Sequence, residues 1–127
     1  MILEKLDHFV LPVSDIDGIA MFYTTYLGME KRVFGEGRVA LHFGDQKINL
    51  HPAGWDYEPK ARVSIAGAAD LCFIVSEPVE SLQTQLVQQG VEIIDGPVFR
   101  SGATGRLRSI YIRDPDGNLI ELSNCVE

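Results

Sequence analysis

An internal repeat constrains this chain more than any other feature. His8 and Asp70, Ser14 and Ser76, and Gly28 and Gly90 each stand 62 positions apart in a chain of 127 residues. One pattern written twice at half the chain length means two similar supersecondary modules.

In the first copy, residues 7–13 alternate, with Phe9, Leu11 and Val13 on one side, as a half-covered strand does. Ser14 or Asp15 can cap a helix near 15–27, which carries Ile16, Ile19, Ala20, Tyr23, Tyr26 and Leu27 at helical spacing. Gly28 ends it where a left-handed residue is wanted. Strands follow over 29–34, 38–43 and 47–51, separated by Gly35-Glu36-Gly37 and Gly44-Asp45 turns. In the second copy a strand over 70–75 precedes Ser76 as a cap, Pro78 in the first turn, and a helix near 78–89 with Val79, Leu82 and Leu86 as its apolar stripe. Gly90 ends that helix. Strands are expected over 91–99, 107–113 and 118–123, the last two joined by the turn Asp114-Pro115-Asp116-Gly117. Each copy reads β-α-β-β-β. The modules are therefore 1–52 and 70–127, joined by a connector, 53–69, within one domain spanning 1–127. A connector of that length without clear periodicity is the kind that carries function.

Charge and cysteine content exclude several classes. Eleven Lys+Arg against eighteen Asp+Glu give a net charge of −7, which argues against nucleic acid or an anionic membrane as partner. No apolar run approaches the ~20 residues of a membrane span. The start, Met1-Ile2-Leu3-Glu4-Lys5, lacks the zones of a signal peptide. Cys72 and Cys125 are too few for a disulfide framework or a cysteine zinc site. Cys72 reads as a small core residue and Cys125 as a free thiol. Both fit a reducing cytoplasm, the expected location.

Each helix has to cover the apolar face of its sheet. Parity then assigns the uncovered face: His8 in the first strand, Asn49 and His51 in the fourth, Asp70 with Cys72 in the fifth, and Glu121 with Leu119 and Ser123 in the last. Imidazoles and carboxylates on a face flanked by apolar residues are costly unless paired or metal-bound. Singly, each is an ordinary polar residue of a sheet. Together, at positions related by the repeat, they point to a ligand set. His42 has no counterpart in the second copy and reads as ordinary. Four of the seven arginines, Arg100, Arg106, Arg108 and Arg113, fall in fourteen residues without an acid, around the loop Ser101-Gly102-Ala103-Thr104-Gly105. They suit a carboxylate or phosphate clamp, or a surface that balances the acidic surplus elsewhere. Alternation leaves the direction of Arg106 and Arg108 open.

Three stretches carry a family resemblance: Leu6-Asp7-His8-Phe9-Val10-Leu11; Phe22-Tyr23 with Tyr26-Leu27-Gly28-Met29; and Arg113-Asp114-Pro115-Asp116-Gly117-Asn118-Leu119-Ile120-Glu121-Leu122. From Leu6 to Asn124 the chain resembles the vicinal oxygen chelate superfamily, which includes glyoxalase I, fosfomycin-resistance proteins, extradiol dioxygenases and bleomycin-binding proteins. Lys47-Ile48-Asn49-Leu50-His51 and Ala69-Asp70-Leu71-Cys72 resemble its glyoxalase-domain-containing 5 group and the bacterial virulence-associated relatives of that group.

The resemblance implies an α+β fold in which two βαβββ modules curl into a U-shaped cleft holding one divalent metal. It implies that His8 matches the first-strand ligand and Glu121 the final-strand ligand. Asp70 falls where most metal-binding members have histidine. The repeat sets Asn49 at the fourth position, where members have Glu or Gln. His51 lies two residues on, on the same face, and is taken as the ligand, with Asn49 as the alternate. The implied metal set is His8, His51, Asp70 and Glu121, which suits Ni, Mn, Fe, Co or Zn and does not choose among them. The implied activity is of lyase (lactoylglutathione lyase-like), isomerase or dioxygenase type on a small oxygenated substrate. The metal would polarise a substrate oxygen and Glu121 would serve as base. The alternatives are a metal-free module that sequesters a small molecule, as bleomycin-binding members do, and an enzyme relic kept for protein interaction. The expected partners are a small-molecule substrate with an anionic group and a second copy of the chain in a homodimer.

Overall fold

The computed structural model describes residues 1–55 and 57–127. The chain divides into two compact units, Met1–Ala68 and Ala69–Glu127. In the first, the order is β1 (His8–Val13), α1 (Ile16–Leu27), β2 (Glu30–Phe34), β3 (Arg38–Phe43) and β4 (Gln46–Pro52). In the second it is β5 (Asp70–Ile74), α2 (Val79–Gln88), β6 (Asp95–Ser101), β7 (Arg106–Arg113) and β8 (Leu119–Cys125). Each unit is a βαβββ module around one four-stranded mixed sheet, ordered β1-β4-β3-β2 and β5-β8-β7-β6. The first strand of each sheet runs parallel to the last and the remaining neighbours are antiparallel.

Alternation decides which face each helix covers. Helix α1 packs on β2, β3 and β4, and α2 on β7 and β8. Under α1 lie Leu11, Val13, Leu41, Ile48 and Leu50, with Ile19, Ala20 and Tyr23 from the helix, all buried. Under α2 lie Ile110, Ile112, Ile120 and Leu122, with Val79 and Leu86. Full burial of each large apolar side chain contributes about 1.5–3 kcal/mol. Gly28 closes α1 at φ 69°, its N–H reaching the Tyr23 carbonyl. Gly90 follows α2 at φ 86°.

The structure departs from the sequence-based expectation in several places. Strand β6 begins at Asp95 rather than residue 91, and its ladder with β7 slips between Asp95 and Val98. Gly96 and Pro97 occupy the slip, where Pro97 has no N–H to donate. Gly96 has φ 96°, and a Cβ there would stand 2.4 Å from the Ser109 carbonyl oxygen, so only glycine fits. Ser76 is not the cap of α2: the first helical N–H, of Val79, goes to Asn124 Oδ1 at 2.8 Å. Asn124 Nδ2 donates to the carbonyls of Val75 and Glu77, so one side chain from β8 ties down the whole β5–α2 turn. Cys72 is exposed on the open face of its sheet rather than in the core, because its parity is that of Asp70 and not that of Leu71. No helix among the described residues is long and apolar enough to cross a membrane.

Candidate functional site

The open face of the second sheet holds a connected set of polar side chains. Cys72 and Tyr111 are the ladder partners of Glu121 on either side, Ser109 is the partner of Ser123, and Asp70 is the partner of Leu119. Glu121 Oε2 accepts hydrogen bonds from Ser109 Oγ at 2.7 Å and Ser123 Oγ at 3.2 Å. Both serines are fully buried, so one carboxylate oxygen is fixed in direction by groups that cannot move to solvent. Glu121, Asp70, Tyr111, Arg100 and Arg113 line a concavity of about 370 Å³, within the size range of small-molecule sites.

Tyr111 is held by Arg100, whose Nε donates to the phenol oxygen at 2.9 Å. Burial pushes the Tyr111 phenol above its ordinary value, with the Arg100 bond opposing and the Glu121 charge adding to the rise. It therefore stays a neutral hydroxyl with a proton to give. Cys72 is exposed as a residue, but partial desolvation, with the nearby Glu121 and Asp70 charges adding, raises its thiol, which stays protonated rather than a thiolate nucleophile.

Local chemistry explains why these residues meet. In the turn before β8, Asp114 Oδ1 accepts from the N–H groups of Asp116 and Asn118, and Oδ2 accepts from Asn118 Nδ2 at 2.7 Å. Asn118, fully buried, also accepts from the Ala69 N–H at 2.9 Å. The Asp114-to-Asn118 turn thus joins the start of β8, which carries Glu121, to the start of β5, which carries Asp70. The arginine cluster splits. Arg100 and Arg113 line the concavity. Arg108 points to the covered face and pairs with Glu80 of α2 at 2.8 Å. Arg106 stacks on Phe99, 3.8 Å from the ring centroid.

On the open face of the first sheet, His8 Nδ1 bonds to Asp7 Oδ2 at 2.7 Å. That contact holds the Asp7 carboxyl below its usual value. An imidazole braced in this way by a carboxylate presents its other nitrogen as a donor for a metal. His51 has a different partner. Its Nε2 accepts from the Arg38 guanidinium at 2.9 Å, and its ring lies 4.7 Å from that of Tyr57. Burial, then the Arg38 charge, lower the His51 imidazole below its ordinary value. A cation at Nε2 would meet a guanidinium in its place, so that nitrogen is closed while Arg38 holds it. Asn49 is 5% exposed, and its Oδ1 is buried without a hydrogen-bond donor among the described residues.

The candidate ligands divide two and two, His8 and His51 in one unit and Asp70 and Glu121 in the other. Among the described residues, no three His, Cys, Asp or Glu side chains gather into a metal cluster. The donors themselves, imidazole nitrogen and carboxylate oxygen, fit a borderline divalent ion. Tyr111, Ser109 and Arg38 were absent from the sequence-based set. The signal for the first two was parity: both share the face of Glu121 on the neighbouring strand.

A model of the Glyoxalase/Bleomycin resistance protein/Dioxygenase superfamily matches residues 5–122. The chain is 52% identical over 126 residues to the virulence protein STM3117 of Salmonella typhimurium, covering 99% of this chain and 88% of that one. The crystal structure of that protein superposes with a TM-score of 0.96 over 99% of this chain and 100% of the other. Identity to the glyoxalase domain-containing protein RDO1 of Mycosarcoma maydis is 49% over 122 residues, 96% of this chain and 69% of that one. At 22% identity the fold is shared with a lactoylglutathione lyase from Agrobacterium tumefaciens, with a TM-score of 0.74 over 96% of this chain and 94% of that one. It is also shared, again at 22% identity, with the antibiotic-binding protein TnmS3 from Streptomyces sp. CB03234, with a TM-score of 0.78 over 99% of each chain.

Proposed function

Because this chain belongs to the glyoxalase/bleomycin resistance protein/dioxygenase superfamily, we propose that it is a divalent-metal-dependent enzyme of the glyoxalase-like type, acting on a small oxygenated substrate. The observation that carries this reading is Glu121. Its carboxylate stands on the wall of a concavity, one oxygen anchored by two buried serines, beside a neutral phenol and two arginines.

In this reading the proposed ligands are His8, His51, Asp70 and Glu121, the set that the family resemblance implies. Arg38 donates to His51 Nε2, so ligation through that nitrogen would require Arg38 to give up the bond. The ion, when bound, supplies Lewis-acid polarisation of a substrate oxygen. The remaining work falls to side chains. Glu121 takes a proton from a carbon beside a carbonyl, and the Ser109 and Ser123 hydroxyls keep the carboxylate aimed while it does so. Tyr111 donates its hydroxyl proton toward the substrate oxygen that gains charge, with Arg100 fixing the phenol in place. The lactoylglutathione lyase neighbour supports this chemistry at the level of fold.

A second reading, metal-free sequestration of a small molecule, is favoured by one observation: among the described residues, neither unit brings three His, Cys, Asp or Glu side chains together. The antibiotic-binding neighbour is consistent with it. Elemental analysis of protein purified without added metal separates the two readings. The enzyme reading expects one divalent ion per site and a higher melting temperature with metal. Metal-free protein that no divalent ion stabilises favours sequestration.

A further inference from the structure

We propose that the open face of the first sheet anchors a small carboxylate that carries a neighbouring hydroxyl group, Arg38 taking the carboxylate and Asn49 Oδ1 the hydroxyl. This goes beyond the reading above by assigning a ligand of stated chemical class to the first unit's own sheet.

Two unpartnered atoms of opposite polarity carry the argument. Arg38 Nε is buried and has no acceptor among the described residues. Asn49 Oδ1 is buried and has no donor, on a side chain only 5% exposed. Buried polar groups in folded proteins are almost always satisfied, so a pair of orphans on one face marks a place where something else binds. The ladder puts Asn49 opposite Ala40 and Leu50 opposite Val39. Arg38 therefore faces His51, and Asn49 is its diagonal neighbour on the same side.

The orphan donor belongs to a permanent cation, so its ligand is an anionic acceptor. The orphan acceptor is a neutral amide oxygen, so its ligand is a neutral donor, O–H or N–H. A carboxylate with a hydroxyl close by supplies both from one small molecule. The guanidinium is already aimed. His51 Nε2 holds its Nη2 at 2.9 Å, and its carbon lies 4.8 Å from the Phe34 ring centroid and 5.4 Å from that of Tyr57. A planar carboxylate pairs edge to edge with a guanidinium packed against rings. Lys47, with its ammonium 4.1 Å from the Phe34 centroid, adds positive potential. Among the described residues neither Arg38 nor Lys47 is spent in an ion pair.

The test uses chelator-stripped, 15N-labelled full-length protein, following the Arg38 Nε–H and the Asn49 side-chain amide by NMR. Glycolate is the probe, with acetate, glycolamide and inorganic phosphate as comparisons. Glycolate is expected to shift both signals. Acetate is expected to shift Arg38 alone, and glycolamide to bind at least about tenfold more weakly. Arg38→Gln should lose the glycolate response, and Arg38→Lys, which keeps the charge without the Nε–H and guards against misfolding, should weaken it about tenfold. Equal responses to glycolate and glycolamide, stronger binding of phosphate, or no shift at about 50 mM glycolate overturns the proposal. A nickel titration of the same samples separates the two readings. Glycolate binding without nickel binding sinks only the metal site. Nickel binding without a glycolate response sinks only the anchor.

Discussion

Arg38 and His51 face each other across β3 and β4, with Nη2 of the guanidinium donating to Nε2 of the imidazole at 2.9 Å. Since arginine only donates, His51 must be the neutral tautomer carrying its proton on Nδ1. Burial and the adjacent charge keep it below its ordinary value of 6.5. The unfolded chain thus takes up this proton more readily than the folded one. The contribution to stability is complete above pH 6.5 and is lost as the pH falls through the folded value. An NMR titration of the imidazole should place its midpoint below 6.5 in the wild type and nearer to it in Arg38→Gln. A wild-type midpoint above 6.5 contradicts the bond as drawn.

Glu121→Gln keeps shape and removes the charge. His8→Ala removes a donor outright. Neither residue lies in the core, so metal-free stability should change by less than about 1 kcal/mol in each. Stabilisation by Ni, Mn, Zn or Fe should fall sharply in both, more so for His8→Ala, since glutamine retains a neutral oxygen ligand. Thermal melts after chelator treatment read this directly. Equal metal-induced shifts in all three proteins would remove His8 and Glu121 from the site.

Asn118→Ala breaks the link between the Asp114 turn and the Ala69 backbone, at a fully buried position. Two buried hydrogen bonds and some packing are lost together, for about 2–4 kcal/mol in urea unfolding. A cost below about 0.5 kcal/mol, the range of surface changes, would mean that the turn does not hold β5 to β8.

Gly96→Ala forces a side chain into a left-handed conformation with its Cβ against the Ser109 carbonyl. We expect a loss of about 2 kcal/mol or more. Displacement of Ser109 should also disturb Glu121, to which it donates. Gly105→Ala, with open space around the new Cβ, is the control and should be near neutral. Comparable melting temperatures for the two variants would contradict the steric account.

A homodimer is expected, because the family often pairs modules across subunits and exposed sheet edges are better protected when paired. Sedimentation at micromolar concentration checks this. A single 14.1 kDa species would rule it out.

Sequence periodicity by itself determined the two modules, the faces their helices cover and the side chains left on the open faces. These follow from local rules. Leu11 and Val13 alternate with Val10 and Pro12, and the helix covers the apolar side, so His8 and Glu121 had to lie opposite. Gly28 and the Asp114-Pro115-Asp116-Gly117 turn were legible for the same reason, since a positive φ and an Asx turn are properties of neighbouring residues.

Tertiary structure alone decided who partners whom. The cap of α2 comes from Asn124, 45 positions from Val79, whereas Ser76, the local candidate, merely stands next to the helix in sequence. His51 is bound by Arg38, thirteen residues away on another strand, a partner that its own segment does not reveal. Tyr111 and Ser109 gained their roles from the register of β7 against β8. Register sums many weak cross-strand contacts, and no single segment carries enough of them to fix it. A side chain's parity is therefore written in its own strand, while its hydrogen-bond partner is settled only when the strands meet.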